Sequence, residues 1–137
     1  MSTGLRFLAD DMVARLGRWL RVLGHDTVIW THGTDEAMLA LAAEEGRVVL
    51  TRHATLAQSA PPTVTVLVVA DETPLLQLME VVRRFGLDLH ARRFTRCQRC
   101  NGLLAEVVKE TVRAEVPERS YAAFDQFWRC KGCGHLY

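Results

Sequence analysis

Arg6-Phe7-Leu8-Ala9, then Asp10-Asp11, then Met12 through Leu23-Gly24, then Thr27-Val28-Ile29-Trp30: the order of these segments near the start of the chain decides the fold. Arg6 to Ala9 is a short apolar run of strand length, and Met12, Leu16, Trp19, Leu20 and Leu23 recur at the helical period. The spacing predicts a strand, a helix whose apolar face includes Trp19, a stop at Gly24, and a second strand at Thr27–Trp30. The alternation continues. Thr34 is placed to cap a helix whose first turn holds Asp35 and Glu36, where carboxylates suit the helix dipole, and Gly46 ends it. Arg47-Val48-Val49-Leu50-Thr51 reads as a third strand, and Pro61-Pro62 breaks the chain. Val64 to Ala70 is dense in β-branched residues and reads as a fourth, central parallel strand. Thr73-Pro74 opens a last helix that stops at Gly86. Repeated strand–helix units imply right-handed crossovers and a mostly parallel sheet covered on both faces, an α/β fold.

Ligands of such sheets bind at the carboxyl ends of the strands. Those ends are acidic here: Asp10 and Asp11 follow the first strand, Asp35 and Glu36 the second, His53 the third, and Asp71 and Glu72 the fourth. Taken singly, an acid after a strand reads as a helix cap. Taken together on one rim, these side chains suit Mg2+ or Mn2+, which take oxygen ligands and can activate water beside a phosphodiester. Asp10, at the end of the first apolar strand, is the foremost candidate; Asp11 reads as a solvent-facing residue of the first helical turn, and Asp71 as either cap or ligand.

The last third carries Cys97-Gln98-Arg99-Cys100 and Cys130-Lys131-Gly132-Cys133. Each Cys-x-x-Cys turn offers two thiolates, and two such turns make a tetrahedral zinc site with no open position, hence a structural metal. The 29 residues between the turns leave room for an antiparallel ribbon. Two disulfides would need an oxidising compartment, and no secretory leader pattern is read at the start of the chain. A redox pair would need one such turn at a helix start, whereas here two are matched and followed by Asn101-Gly102 and Gly134.

The longest apolar run, Val64 to Ala70, is too short to span a bilayer, and the expectation is a cytoplasmic protein without a membrane partner. The net charge of +1 is unevenly placed. Residues 1–91 carry 8 basic and 11 acidic side chains, whereas residues 92–137 carry 9 and 5, so the tail is a modest basic patch. Arg15, Arg18 and Arg21 recur every three residues along the first helix; they read either as a phosphate grip or as a solvated face. Arg52, beside His53 at a strand exit, is a candidate clamp for phosphate. Trp19 reads as core, and Trp30 and Trp128 as packing residues that have the alternative of stacking a base.

Phe7-x-x-Asp10-x-Met12, Arg15-Leu16-Gly17-Arg18-Trp19-Leu20-Arg21-Val22-Leu23-Gly24-His25-Asp26-Thr27, Leu50-Thr51-Arg52, Arg96-Cys97-x-x-Cys100-Asn101 and Phe127-x-x-Cys130-x-x-Cys133 together resemble the Mut7-C ribonuclease family. The resemblance spans nearly the whole chain. It implies a PIN-like domain over residues 1–91 followed by a zinc ribbon over 92–137, and a metal-dependent endoribonuclease acting on RNA. Asp10 matches the family's first-strand acid and Asp35 the acid opening the second helix. The reading of the rim adds His53, with Asp71 as cap or ligand, to the Mg2+ or Mn2+ shell and places Arg52 on the phosphate. One departure bears on activity: the family pattern after the third strand is Thr-Arg-Asp, and this chain has Thr51-Arg52-His53. Imidazole replaces an anionic oxygen where Mg2+ wants hard ligands. The alternatives are therefore an RNA-binding module that has weakened or lost catalysis, and a module that docks a protein through its ribbon.

Overall fold

The computed structural model describes residues 4–137. Four parallel strands, β1 (Arg6–Ala9), β2 (Thr27–Ile29), β3 (Arg47–Thr51) and β4 (Val66–Val68), lie in the order β2-β1-β3-β4. The helices α1 (Ala14–Val22), α2 (Asp35–Glu45), α3 (Ala54–Ser59) and α4 (Pro74–Phe85) connect and cover them. The strand pleat sorts the core. Phe7, Ala9, Val48 and Leu50 point to one face and meet Val13, Leu16 and Leu20 of the first helical segment and Leu78 and Val81 of α4. Leu8 and Val49 point to the other, against Met38, Leu39 and Ala42 of α2 and Leu56 of α3. Period-2 strands between period-3.6 helices thus build a layered α/β domain with helices on both faces.

The capping signals act as read. Thr34 Oγ1 accepts from the Ala37 N–H at 3.1 Å, Gly46 and Gly86 close α2 and α4 in the left-handed conformation, and Pro74 sits at the start of α4. Three expectations change. β4 is an edge strand with only Val66–Val68 in the ladder, while β1 and the uniformly buried β3 are central. A short helix, α3, fills the segment before Pro61-Pro62. Trp19 is not core: it is 45% exposed, because Val13, Leu16, Gly17 and Leu20 define the buried stripe and position 19 lies about 120° around the helix from it. Gly17 is needed in that stripe, since a Cβ there would come 2.8 Å from Ile29 Cγ1.

The second unit is a two-stranded antiparallel ribbon, β5 (Leu104–Val107) with β6 (Phe127–Cys130). Residues 97–101 and 130–134 make matching turns: Asn101 N–H donates to Cys97 O at 2.9 Å and Gly134 N–H to Cys130 O at 3.1 Å. Asn101 and Gly134 occupy the same left-handed position in their turns, at φ 71° and 78°. The long segment between the strands is an arm made of a 3-10 turn (Lys109–Val112) and α5 (Glu118–Ala123), anchored by buried Val112 and by Tyr121 stacked on Phe127.

The ribbon is clasped to the amino ends of the strands. Asn101 Nδ2 donates to Asp26 Oδ1 at 2.7 Å, and Asn101 Oδ1 accepts from the Thr27 N–H at 3.0 Å. Asp26 in turn holds buried Arg47 at 2.8 Å, which also donates to Phe7 O. Arg21 is buried; its Nε donates to Thr27 O and its Nη1 to Gln98 O, at 2.8 and 2.9 Å. Gly24, at φ 92°, lies so close to Arg92 that an added Cβ would meet Arg92 O at 2.1 Å. Burial alone would raise the Asp26 carboxyl, but the hydrogen bonds from Arg47 and Asn101 outweigh it and hold it below the ordinary value.

Next to the clasp, buried His25 packs edge-on against Phe7 at 5.9 Å, and neither ring nitrogen has a partner among the described residues. Burial, reinforced by Arg92 and Arg96, pushes its pKa below 6.5. Because the folded state resists protonation, His25 contributes stability that is present above about pH 6.5 and is lost as pH falls through the depressed folded value. Urea titrations from pH 8 to 5 should show stability falling below about pH 6.5, and His25→Phe, which keeps the ring packing, should flatten that fall.

Candidate active site and metal centre

β1 connects to β2 on one side and lies against β3 on the other, so the carboxyl ends of β1 and β3 flank the sheet's topological switch point, where α/β sheets place ligands. Asp10 leaves β1 there. It is 6% exposed, its Oδ1 accepts from the Met12 N–H at 3.0 Å, and its Oδ2 accepts a short hydrogen bond from the Thr51 hydroxyl. Thr51 Oγ1 in turn accepts from the His53 N–H at 3.0 Å. Asp10, Thr51 and His53 therefore form one chain of hydrogen bonds across the switch point. Asp10 is both a cap and a fixed carboxylate, and each oxygen keeps a lone pair free. The imidazole of His53 is exposed at the start of α3 and makes no capping bond.

The β4 exit is organised differently. Arg52 Nη1 donates to Ala70 O at 3.2 Å and to Asp71 O, tying the ends of β3 and β4 together. Asp71 Oδ1 accepts from the Thr73 N–H at 3.3 Å, a turn-capping role. Glu80 of α4 reaches back to the Ala70 and Asp71 amides, at 3.1 and 2.9 Å. Asp35 is exposed in the first turn of α2. Among the described residues, the one group of three or more His, Cys, Asp or Glu side chains with ligand atoms all within 4.8 Å of each other is the cysteine cluster. Asp10, Asp35, His53 and Asp71 share a rim without forming so tight a group.

The arginines of α1 part company. Arg15 and Arg18 are exposed, whereas Arg21 spends its guanidinium on backbone carbonyls of β2 and the ribbon, so its expected place on a phosphate grip is corrected. α1 runs back from the rim, which puts Arg15 nearest Asp10.

Cys97, Cys100, Cys130 and Cys133 converge, with Cys97 Sγ 3.7 Å from Cys133 Sγ and Cys100 Sγ 3.3 Å from Cys130 Sγ. Four thiolates around Zn2+ at about 2.3 Å stand about 3.8 Å apart at tetrahedral geometry, so the cluster fits such a site. Small residues make room: a Cβ on Gly102 would lie 3.0 Å from Cys130 Sγ. Burial opposes ionisation of Cys130, but the Cys133 and Gly132 amides and the Cys100 thiol outweigh it and bring it down to about 6. The Gly102 amide favours the Cys100 thiolate, yet its neighbour Cys130 pushes it up to about 11. A dication bound by the cluster displaces the thiol protons.

A family model described as the Mut7-C RNAse domain matches residues 5–137. The chain belongs to that family. No curated protein and no solved structure matched it. The Mut7-C match extends through both the layered sheet and the cysteine ribbon, and family membership points to a ribonuclease. No helix of the described residues is long and apolar enough to cross a membrane.

Two residues of this Mut7-C chain escaped the sequence reading. Thr51 was hidden as one more buried strand residue, although a hydroxyl ending an otherwise apolar strand is a signal of a polar partner. Tyr137 Oη lies 3.0 Å from Cys97 Sγ, where it can donate to the thiolate. Burial and this bond raise the Tyr137 pKa, so it stays protonated as a donor. Outer partners of metal ligands tune affinity by roughly 10- to 100-fold. Tyr137→Phe should weaken zinc retention by about 10-fold in a chelator competition while leaving the four-stranded sheet folded.

Proposed function

We propose that this chain is a divalent-metal-dependent endoribonuclease that hydrolyses RNA phosphodiesters at the carboxyl rim of its sheet. The observation that carries this reading is Asp10: a nearly buried carboxylate fixed by Thr51 and Met12 at the switch point, in a member of an RNase-domain family. A carboxylate held there is preorganised for a cation, because its two hydrogen bonds leave a lone pair on each oxygen. Asp10 would be the fixed ligand of Mg2+ or Mn2+, with Asp35, His53 and Asp71 making up the rest of the rim around it, and the ion when bound would supply an activated water and neutralise the phosphodiester. Mg2+ sites commonly use one or two protein carboxylates plus water and substrate phosphate, so a loose rim with one fixed acid suits this donor set. Arg52, at the tie between β3 and β4, has further N–H groups to offer the phosphate as charge builds. Residues 1–91 are read as the nuclease unit and residues 92–137 as a zinc ribbon that holds RNA.

A second reading, an RNA-binding module with weak or no catalysis, draws on His53. An exposed imidazole stands at the β3 exit, where the family pattern has a carboxylate. The two readings separate in one cleavage assay on single-stranded and structured RNA with Mg2+ or Mn2+. The ribonuclease reading expects turnover with Mn2+, a loss of roughly 100-fold or more in Asp10→Asn, and a gain with Mg2+ in His53→Asp. If neither wild type nor His53→Asp cuts RNA, the reading is wrong.

A further inference from the structure

Away from the rim, the ribbon carries a groove of about 730 Å3, in the size range that takes a small-molecule-sized group. One wall is the arm, with Pro117 and Phe124; the floor is Trp128 and the C-terminal residues that pair with β6; the other wall is Phe94 and the end of α1 at Val22. Its aromatic faces are open. Phe94 is 55% and Phe124 60% exposed, and Phe94 stacks on Trp128 at 6.3 Å and 22°. Phe94 is also held at φ 63°, a conformation rare for a bulky side chain, by its N–H donating to Val22 O at 2.9 Å. The chain accepts backbone strain and apolar exposure at the same residue, a pairing typical of functional positions.

The surroundings carry more arginines than acids. Arg96 and Arg129 line the groove beside His135, Arg93 is exposed next to Phe94, and Arg99 reaches His135 Nδ1 at 2.9 Å. The groove's one acid, Glu115, is paired with Arg129 at 2.6 Å. Open aromatic faces bordered by arginines are the pattern of single-strand nucleic-acid binding, in which bases stack and phosphates meet the positive rim. An apolar protein segment would match the faces but leave Arg93, Arg96 and Arg99, which have no acidic partner among the described residues, without counter-charges. A regular duplex keeps its bases stacked inside and has nothing to offer the aromatic faces.

We propose that this groove binds unpaired bases of single-stranded RNA, with Phe94 and Phe124 as the stacking faces and Trp128 backing Phe94, and that Arg15 and Arg18 carry the strand onward to the rim. Arg15, Arg18 and Val22 stand at i, i+3 and i+7 on the solvent side of α1, so one helix face joins the groove wall to the Asp10 end over about 10 Å. The onward track rests on the rim being the cutting site; the groove does not.

The test uses the zinc-loaded full chain without Mg2+ or Mn2+, so that binding is read apart from cleavage. Fluorescence anisotropy follows a labelled oligouridine of about twelve nucleotides, within the span such sites cover, and a duplex of equal length. The expected result is preference for the single strand, with Phe94→Ala and Phe124→Ala each weakening it by roughly 5- to 100-fold. Arg15→Ala and Arg18→Ala should each lower the log-log salt slope by about one. Zinc content and far-ultraviolet dichroism report on folding, and Phe124, on an exposed helix end, gives a variant that leaves the backbone at Phe94 untouched. Unchanged affinity in both folded aromatic variants, equal binding of duplex, or no oligonucleotide binding with self-association of the chain instead would each overturn the proposal. Loss of binding in these variants together with an inert rim would sustain the groove and refute only the ribonuclease reading.

Discussion

The hydrogen bonds of Asn101 set the arrangement of this molecule. One amide side chain, on the first cysteine turn, donates to Asp26 and accepts from the Thr27 amide, and Asp26 passes the constraint to Arg47 at the head of β3. Three strands therefore feel the ribbon at their amino ends. The consequence is separation: the cysteine cluster lies at one end of the sheet and Asp10 at the other, with at least the four residues of β1, about 13 Å, between them. A metal held by the cysteines cannot share ligands with the rim. Its influence on the rim runs through position, by fixing where the ribbon's groove stands relative to α1.

The position of Asn101 also explains why that residue type is there. The turn needs a left-handed residue, as its twin shows with Gly134. Asn tolerates the conformation and adds an amide, so the same residue closes the turn and bonds the ribbon to the sheet. Arg21 and Gly24 support the clasp in other ways, one by reaching across to Gln98 and one by having no side chain where Arg92 passes.

Much of this was legible in the sequence, and the remainder was not for identifiable reasons. The period switch from Phe7-Leu8-Ala9 to Leu16-x-x-x-Leu20 gave the strand–helix alternation, and Thr34, Gly46 and Gly86 marked helix ends by chemistry local to them. The paired Cys-x-x-Cys turns gave the ribbon because four thiolates have few other uses. Which strand is central was not legible: Val64–Ala70 is β-branched enough for an inner strand, but pairing order is a tertiary outcome. Nor was the fate of Arg21, since three arginines at equal spacing look alike until Gln98, 77 positions away, claims one. At the rim, Asp10 was readable from its place after an apolar strand, while Thr51 and Glu80 gain meaning only from neighbours far along the chain.

The cysteine turn is fastened to the sheet through Asn101 and Thr27, at the end of the sheet opposite Asp10. Residue-resolved hydrogen exchange before and after chelation of zinc tests it most directly, because the Thr27 N–H donates to a side chain of the ribbon and not to the sheet. Chelation should deprotect the Thr27 amide and the β5–β6 amides while the Asp10 N–H, bonded to Leu50 O at 3.1 Å, stays protected. Retained protection at Thr27 after zinc removal, or loss at Asp10 together with it, would show that the cysteine turn does not hold this junction.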